Sequence, residues 1–122
     1  MKYVTEGLEP RRVLELFEEI SAIPRASGNE AAIAAWIEKF AKERGCFCLK
    51  DKSNNVFVRV PASAGREHEA AVLLQGHTDM VCEKNSDTEH DFSSEGLKLY
   101  IEDGWLRARG TVSYTHLTLP TI

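Results

Sequence analysis

The stretch Ala-Ala-Val-Leu-Leu at residues 70–74 continues directly into Gln-Gly-His-Thr-Asp at residues 75–79. An unbroken apolar run is typical of a strand covered on both faces, so residues 70–74 are predicted to form a central strand. His77 and Asp79 would then emerge at its carboxyl end, where open α/β sheets place their ligands. This stretch therefore predicts both an α/β fold and the position of a candidate site.

Two amphipathic helices are predicted ahead of this strand. Apolar residues recur at helical spacing in two segments, at Leu8, Val13, Leu14, Phe17 and Ile20 in the first and at Ile33, Trp36, Ile37 and Phe40 in the second. Pro10 suits the first turn of the first helix, which is expected to end before Pro24. Trp36 and Phe40 are expected to belong to the core rather than to a binding surface.

The second helix has end signals on both sides. Ser27-Gly28-Asn29-Glu30 matches a capping box, in which the Ser27 hydroxyl accepts from the Glu30 amide and the Glu30 side chain accepts from the Ser27 amide. Gly45 follows the last helical residues and is expected to be a left-handed C-cap.

Beyond Gly45 the apolar pattern alternates, which is typical of strands. Residues 46–50 and 56–60 are predicted to pair around the turn at residues 53–55. A second hairpin is predicted around Asp103-Gly104, and a long polar loop covers residues 81–96. The sequence thus predicts an α/β fold in which two helices are followed by a mixed sheet with hairpins.

Length and composition fit one soluble domain. The chain has 122 residues, 43% of them hydrophobic and 28% charged, with a formal net charge of -4. An acidic balance gives no electrostatic reason to expect nucleic acid or an anionic membrane as partner. The N-terminus has no apolar signal core, and no apolar run approaches the roughly 20 residues that span a bilayer. We therefore expect a cytoplasmic protein.

The cysteines and two of the histidines are not expected to belong to a functional site. Cys46, Cys48 and Cys82 cannot all pair, and a soft-metal site at the first two would need further ligands that the sequence lacks. Reduced thiols are expected. His68 and His90 lie among acidic residues and are expected to be solvated.

His77 and Asp79 are the residues with the clearest chemical use. Side chains two apart on extended chain project to the same side. A neutral imidazole can bind a metal ion, and a carboxylate beside it can fix its orientation. Since His-x-Asp also occurs by chance as a surface pair, its position after an apolar strand is what favours a metal site.

The segment Gln75 to Asn85 resembles the first metal-binding motif of aminoacyl-histidine dipeptidases, which belong to the carnosinase and aminoacylase superfamily. Further similarity lies at residues 20–25, 27–30, 41–44 and 90–92. Gly-His-x-Asp is common to the superfamily, whereas the Met-Val-Cys-Glu-Lys at residues 80–84 narrows the resemblance to the histidine-dipeptide branch. The resemblance extends over roughly residues 6–110.

This resemblance implies the N-terminal part of a zinc-exopeptidase-like catalytic domain. His77 would be a ligand to one of two zinc ions, and Asp79 would be the catalytic-site carboxylate that orients it. The implied substrates are dipeptides with a C-terminal histidine, hydrolysed by metal-activated water with a glutamate as base. The other ligands and the glutamate would lie beyond the end of this chain, so the fragment alone is expected to be inactive and to bind zinc weakly.

Two alternatives stay open at this point. The parent could belong to another branch of the superfamily, such as a tripeptidase or an acyl-amino-acid hydrolase. It could also be a non-catalytic binding module in which His77 and Asp79 are only structural. For the fragment we further expect poor solubility, because it would leave an unpaired strand edge and exposed apolar surface.

The last residues differ from the rest of the chain. All 15 basic and 19 acidic residues fall within residues 1–110, and residues 111–122 contain none. The resemblance to the family ends at the same place, and the string from Val112 resembles the translation of a sequencing-library adapter. We expect residues 1–110 to be metallopeptidase sequence and residues 111–122 to be a non-native, adapter-derived tail, with Thr111 attributable to either side. His116 would then not be a ligand.

Overall fold

A computed structural model describes residues 2–111. Two helices come first and two β-hairpins follow: α1 Arg11–Ser21, α2 Ala31–Glu43, β1 Phe47–Lys50, β2 Val56–Arg59, β3 Leu99–Glu102 and β4 Trp105–Ala108. The predicted α/β class, with two helices ahead of hairpins, is confirmed. The tail from Val112 and its His116 lie outside the described residues, so their prediction is not addressed by the fold.

Helix α1 begins after Pro10 and ends before Pro24, as predicted. Leu14 is buried, whereas Val13 lies on the solvent face and is 59% exposed, so its assignment to the apolar stripe is wrong. Glu18 is buried instead. Its carboxylate accepts hydrogen bonds from the Thr5 amide at 2.8 Å, from the Thr5 hydroxyl and from the Val4 amide at 2.9 Å. These bonds tie the N-terminal segment to the helix.

The two ends of α2 differ in how well the sequence predicted them. At the C-terminus, Gly45 has a φ of 68°, and the Gly45 and Cys46 amides donate to the Lys42 and Ala41 carbonyls. This is a Schellman motif, so the predicted glycine cap is confirmed. At the N-terminus the capping box is wrong, because the residue that precedes the helix is Glu30 and no side chain caps it.

The aromatic side chains of α2 are half-buried rather than fully enclosed. Trp36 and Phe40 stack with ring centroids 5.1 Å apart. The Arg44 guanidinium lies 3.4 Å from the Phe40 ring centroid, a cation–π contact. The fully buried residues of this helix are Ile33, Ala34 and Ala41, and the helix packs against the hairpin of β1 and β2.

Both predicted hairpins are present and antiparallel. In the first, Lys50 pairs with Val56, and the Asp51 carboxylate accepts from the amides of Ser53 and Asn55 across the turn. In the second, Glu102 pairs with Trp105, and both turn residues between them have positive φ. A type I′ turn requires that backbone conformation, which explains the Asp-Gly pair there.

The predicted central strand is not formed among the described residues. Residues 70–74 have no regular secondary structure, and Val72, Leu73 and Leu74 are 84%, 79% and 89% exposed. The strands form two separate pairs, β1 with β2 and β3 with β4. A cleft of about 800 Å³ lies between the 69–74 segment and β2. Within residues 2–111 no strand is hydrogen-bonded to residues 70–74, so the apolar run stays unpaired and exposed.

The polar loop at residues 81–96 is confirmed and packs against the end of α1. The Leu97 amide donates to the Ser21 carbonyl at 2.8 Å. A side chain at Gly96 would overlap the backbone of Ala22, since a Cβ there would lie 2.1 Å from its carbonyl oxygen. Within residues 2–111, neither helix has the length and apolar character needed to cross a bilayer.

Candidate functional site

The segment that carries His77 and Asp79 is fixed to the turn ahead of α2. The Met80 amide donates to the Arg25 carbonyl at 2.9 Å, and Ala26 and Met80 form an isolated parallel bridge. These backbone contacts place Asp79 next to the residues that lead into the helix. The site therefore depends on a contact between two distant parts of the chain.

The predicted contact between His77 and Asp79 is present. Nδ1 of His77 lies 2.9 Å from Asp79 Oδ1 and 2.9 Å from the Asp79 carbonyl oxygen. An unprotonated carboxylate and a carbonyl can only accept hydrogen bonds, so Nδ1 must carry the proton. The neutral imidazole then has its lone pair on Nε2. Because the His77 side chain is 81% exposed, Nε2 is accessible to a ligand.

The second carboxylate oxygen of Asp79 is bound by Ser27. The Ser27 hydroxyl donates to Asp79 Oδ2 at 2.5 Å across 52 residues of sequence. The hydrogen bond from Ser27, followed by that from His77, lowers the pKa of Asp79 below its ordinary value. The carboxylate is therefore held in its charged form, which is the form that keeps Nδ1 of the imidazole protonated.

The sequence predicted a different partner for Ser27. The Glu30 side chain accepts from the Gly28 amide at 2.7 Å rather than from the Ser27 amide, so neither hydrogen bond of the capping box exists. Local sequence offered no signal for the bond between Ser27 and Asp79. The one available sign was that residues 27–30 and 75–85 both resemble the same family.

A cleft of about 570 Å³ opens beside the pair. It is bordered by Glu30, by the turn at residues 53–55, by residues 56–58 of β2 and by residues 73–79. Within residues 2–111, no three histidine, cysteine or acidic side chains come close enough to hold a metal ion together. At this cleft the described residues place an exposed imidazole, His77, against the carboxylate of Asp79.

The remaining candidate side chains are distributed elsewhere. His68 is exposed, as predicted, and Cys46, Cys48 and Cys82 are free thiols. The pKa of the Cys82 thiol is raised, first by burial and then by the negative charge of nearby Asp79. No disulfide forms, which agrees with the expectation of reduced cysteines.

His90 was predicted to be solvated, and this is wrong. Its side chain is 3% exposed, with Nδ1 3.2 Å from a Glu95 carboxylate oxygen. Its ring meets the Phe92 ring edge-on, with centroids 4.5 Å apart. The acidic residues around His90 suggested that its side chain is exposed to solvent. Phe92 and Glu95 instead cover the imidazole and exclude water from it.

Comparison with known proteins relates the chain to dipeptidases. No protein-family model matches it. Cytosol non-specific dipeptidase from Escherichia coli (strain K12) is 41% identical over 104 residues, which cover 85% of this chain and 21% of that protein. The crystal structure of aminoacylhistidine dipeptidase from Vibrio alginolyticus matches with a TM-score of 0.82 and 38% identity, covering 92% of this chain and 23% of that one. The predicted similarity to dipeptidases is confirmed, and the chain spans about a fifth of the length of these relatives.

Proposed function

We propose that this chain, whose sequence and fold both match dipeptidases over about a fifth of their length, is part of a zinc-dependent dipeptidase. The observation that carries the proposal is the His77 imidazole, with Nδ1 held by Asp79 and Nε2 accessible. Dipeptides with a C-terminal histidine are the proposed substrates within a wider dipeptide range. The cytoplasm is the proposed location.

The chemistry of His77 and Asp79 fits a zinc site. Zinc takes neutral imidazole nitrogen as a ligand, and metal-binding histidines commonly donate their other N–H to a carboxylate or carbonyl. His77 has both of these acceptors on Nδ1. We assign His77 as the metal ligand through Nε2 and Asp79 as the residue that orients it.

When bound, zinc polarises the scissile carbonyl and lowers the pKa of a bound water. The part played by this chain is preparatory: Asp79 keeps the proton on Nδ1 and so keeps the lone pair of Nε2 directed outward. Its carboxylate also adds negative charge beside the metal position. Residues 2–111 supply one such ligand, so this chain is expected to bind zinc weakly and to be inactive by itself.

The assignment extends to the domain limits. We propose that residues 1–110 are part of the metallopeptidase catalytic domain and that residues 111–122 are not native to it. Thr111 is buried and forms an isolated bridge with Lys84. Sequencing the locus tests the boundary: an open frame that continues past codon 110 into dipeptidase sequence supports it, and a native stop codon after Ile122 contradicts it.

The activity is tested with a polypeptide of the relatives' length that contains residues 1–110. It is assayed against Xaa-His dipeptides, other dipeptides, tripeptides and acyl-amino acids. We expect hydrolysis of dipeptides, including Xaa-His, that is lost with His77→Ala and retained with His68→Ala, because His68 lies in an exposed loop. Hydrolysis of only tripeptides or acyl-amino acids would assign another branch, and full activity of His77→Ala would refute the role of His77.

A further inference from the structure

We propose that Ser27 is a positioning residue for His77 and acts through the carboxylate of Asp79. The inference rests on the proposed function, since it concerns the residue assigned there as the metal ligand. The juxtaposition that carries it is a chain of three side chains, with Ser27 on Oδ2 of Asp79 and His77 on Oδ1.

The Ser27 hydroxyl is committed to this contact rather than to the helix. Helix α2 has no side-chain cap, and Glu30 turns back to the Gly28 amide. Ser27 lies three residues before Glu30, the N-cap residue, so its hydroxyl is not at the position from which a serine caps a helix. It donates instead to the Asp79 carboxylate, and hydrogen bonds to charged acceptors are the stronger class.

The contact restricts how Asp79 can turn. The last torsion of an aspartate is broad and roughly two-fold, so a carboxylate bonded only to His77 could rotate and lose its alignment. A donor on Oδ2 removes that freedom while Oδ1 faces Nδ1 of His77. Asp79 is 34% exposed, so water competes for both carboxylate oxygens. A fixed donor at Oδ2 excludes water from that oxygen.

Ser27 is itself fixed by backbone. The bond between the Met80 amide and the Arg25 carbonyl and the bridge between Ala26 and Met80 lie directly beside it. The donor is therefore held in place before any ligand arrives. The consequence is a set tautomer at His77, with the proton on Nδ1 and the metal-binding lone pair on Nε2.

The test uses the 122-residue chain labelled with ¹⁵N-histidine, without metal, at a pH where the imidazole is neutral. The ¹⁵N shifts of Nδ1 and Nε2 report which nitrogen carries the proton. We expect the Nδ1-protonated form to dominate in the native chain. In Ser27→Ala the tautomer ratio should move toward the other form by roughly 2-fold to 10-fold, the net effect of one hydrogen bond.

Three companion variants separate positioning from a general structural effect. Ser27→Thr keeps the hydroxyl and should restore the native ratio. Ser53→Ala removes a hydroxyl from the same cleft that does not contact Asp79, and it should leave the ratio unchanged. In a chain that carries Asp79→Ala, adding Ser27→Ala should change nothing further, because a residue that acts through another loses its effect when that other is removed.

The inference is overturned if Ser27→Ala keeps the native amide spectrum and the native tautomer ratio, or if it shifts the ratio equally with Asp79 absent. If Ser27→Ala does not fold, Ser27→Cys takes its place, since a thiol is a weak donor of similar size. The result is independent of the enzyme assay. A tautomer that responds to Ser27 in a chain whose longer form hydrolyses nothing refutes only the proposed function, and the reverse pattern refutes only this inference.

Discussion

Replacing Leu73 and Leu74 with aspartate is expected to suppress self-association of the chain. These side chains and Val72 form an exposed apolar strip of three consecutive residues in a segment without regular secondary structure, and the two leucines are 79% and 89% exposed. Within residues 2–111, residues 70–76 make no hydrogen bond. The segment thus combines exposed apolar side chains with backbone groups that can pair with another strand.

The magnitude follows from this exposure. If a second molecule covers about half of each leucine, the pair contributes roughly 1–3 kcal/mol to association, which is about fivefold to 150-fold in the association constant. Two aspartates remove that gain and add like-charge repulsion between copies. The double variant should therefore stay monomeric at concentrations where the native chain associates.

Sedimentation velocity across a concentration series measures this directly. Val13→Asp is the matched control, because Val13 is exposed on α1 away from the strip, and it should leave association unchanged. A native chain that is monodisperse and monomeric over the whole series would show that the strip does not drive association. So would equal suppression by the control.

Three further predictions concern contacts that hold the fold together. Glu18→Gln should destabilise the fold by about 1–3 kcal/mol in urea unfolding, since it places an amide N–H₂ among amide and hydroxyl donors. Its control, Glu102→Gln at a surface ion pair, should cost no more than about 1 kcal/mol. Equal effects of the two variants would contradict the role of the buried Glu18 carboxylate as an acceptor. Gly96→Ala should lower the free energy of unfolding by about 1–3 kcal/mol, because the new methyl group overlaps the backbone at the end of α1. Gly76→Ala, whose methyl group meets open space, should not lower it. An unchanged melting temperature for Gly96→Ala would contradict the close contact between Gly96 and Ala22. Hydrogen bonds from two serine side chains and one amide lower the pKa of Asp91 to about 2, so the stability it contributes should be full above the pKa of the unfolded chain, near 4, and be lost as the pH falls from about 4 to about 2. In a ¹³C titration of the carboxyl groups, the signal that Asp91→Asn abolishes should have its midpoint at about pH 2. A midpoint near pH 4 would contradict the prediction.

The features that depend on neighbouring residues could be predicted from the sequence. The period of about 3.6 in apolar residues located both helices, and the alternating pattern with Asp103-Gly104 located a hairpin. Gly45 was predicted as a cap because left-handed backbone has few other occupants. In each case the responsible atoms lie within a few residues of one another.

The features that depend on distant partners could not be predicted in this way. Residues 70–74 have the composition of a buried strand, but burial needs neighbours that composition does not supply. Ser27 and Glu30 have the spacing of a capping box, but the Ser27 hydroxyl donates to a carboxylate 52 residues away instead. The charges around His90 suggested solvent, although Phe92 and Glu95 cover it.

The most direct measurement of the central claim is an anomalous diffraction map at the zinc edge for a polypeptide of the relatives' length that contains residues 1–110. The account predicts a zinc peak roughly 2.0–2.1 Å from Nε2 of His77, with Nδ1 still bonded to Asp79. A zinc ion bound through Nδ1, or zinc sites with no contact to His77, would contradict it.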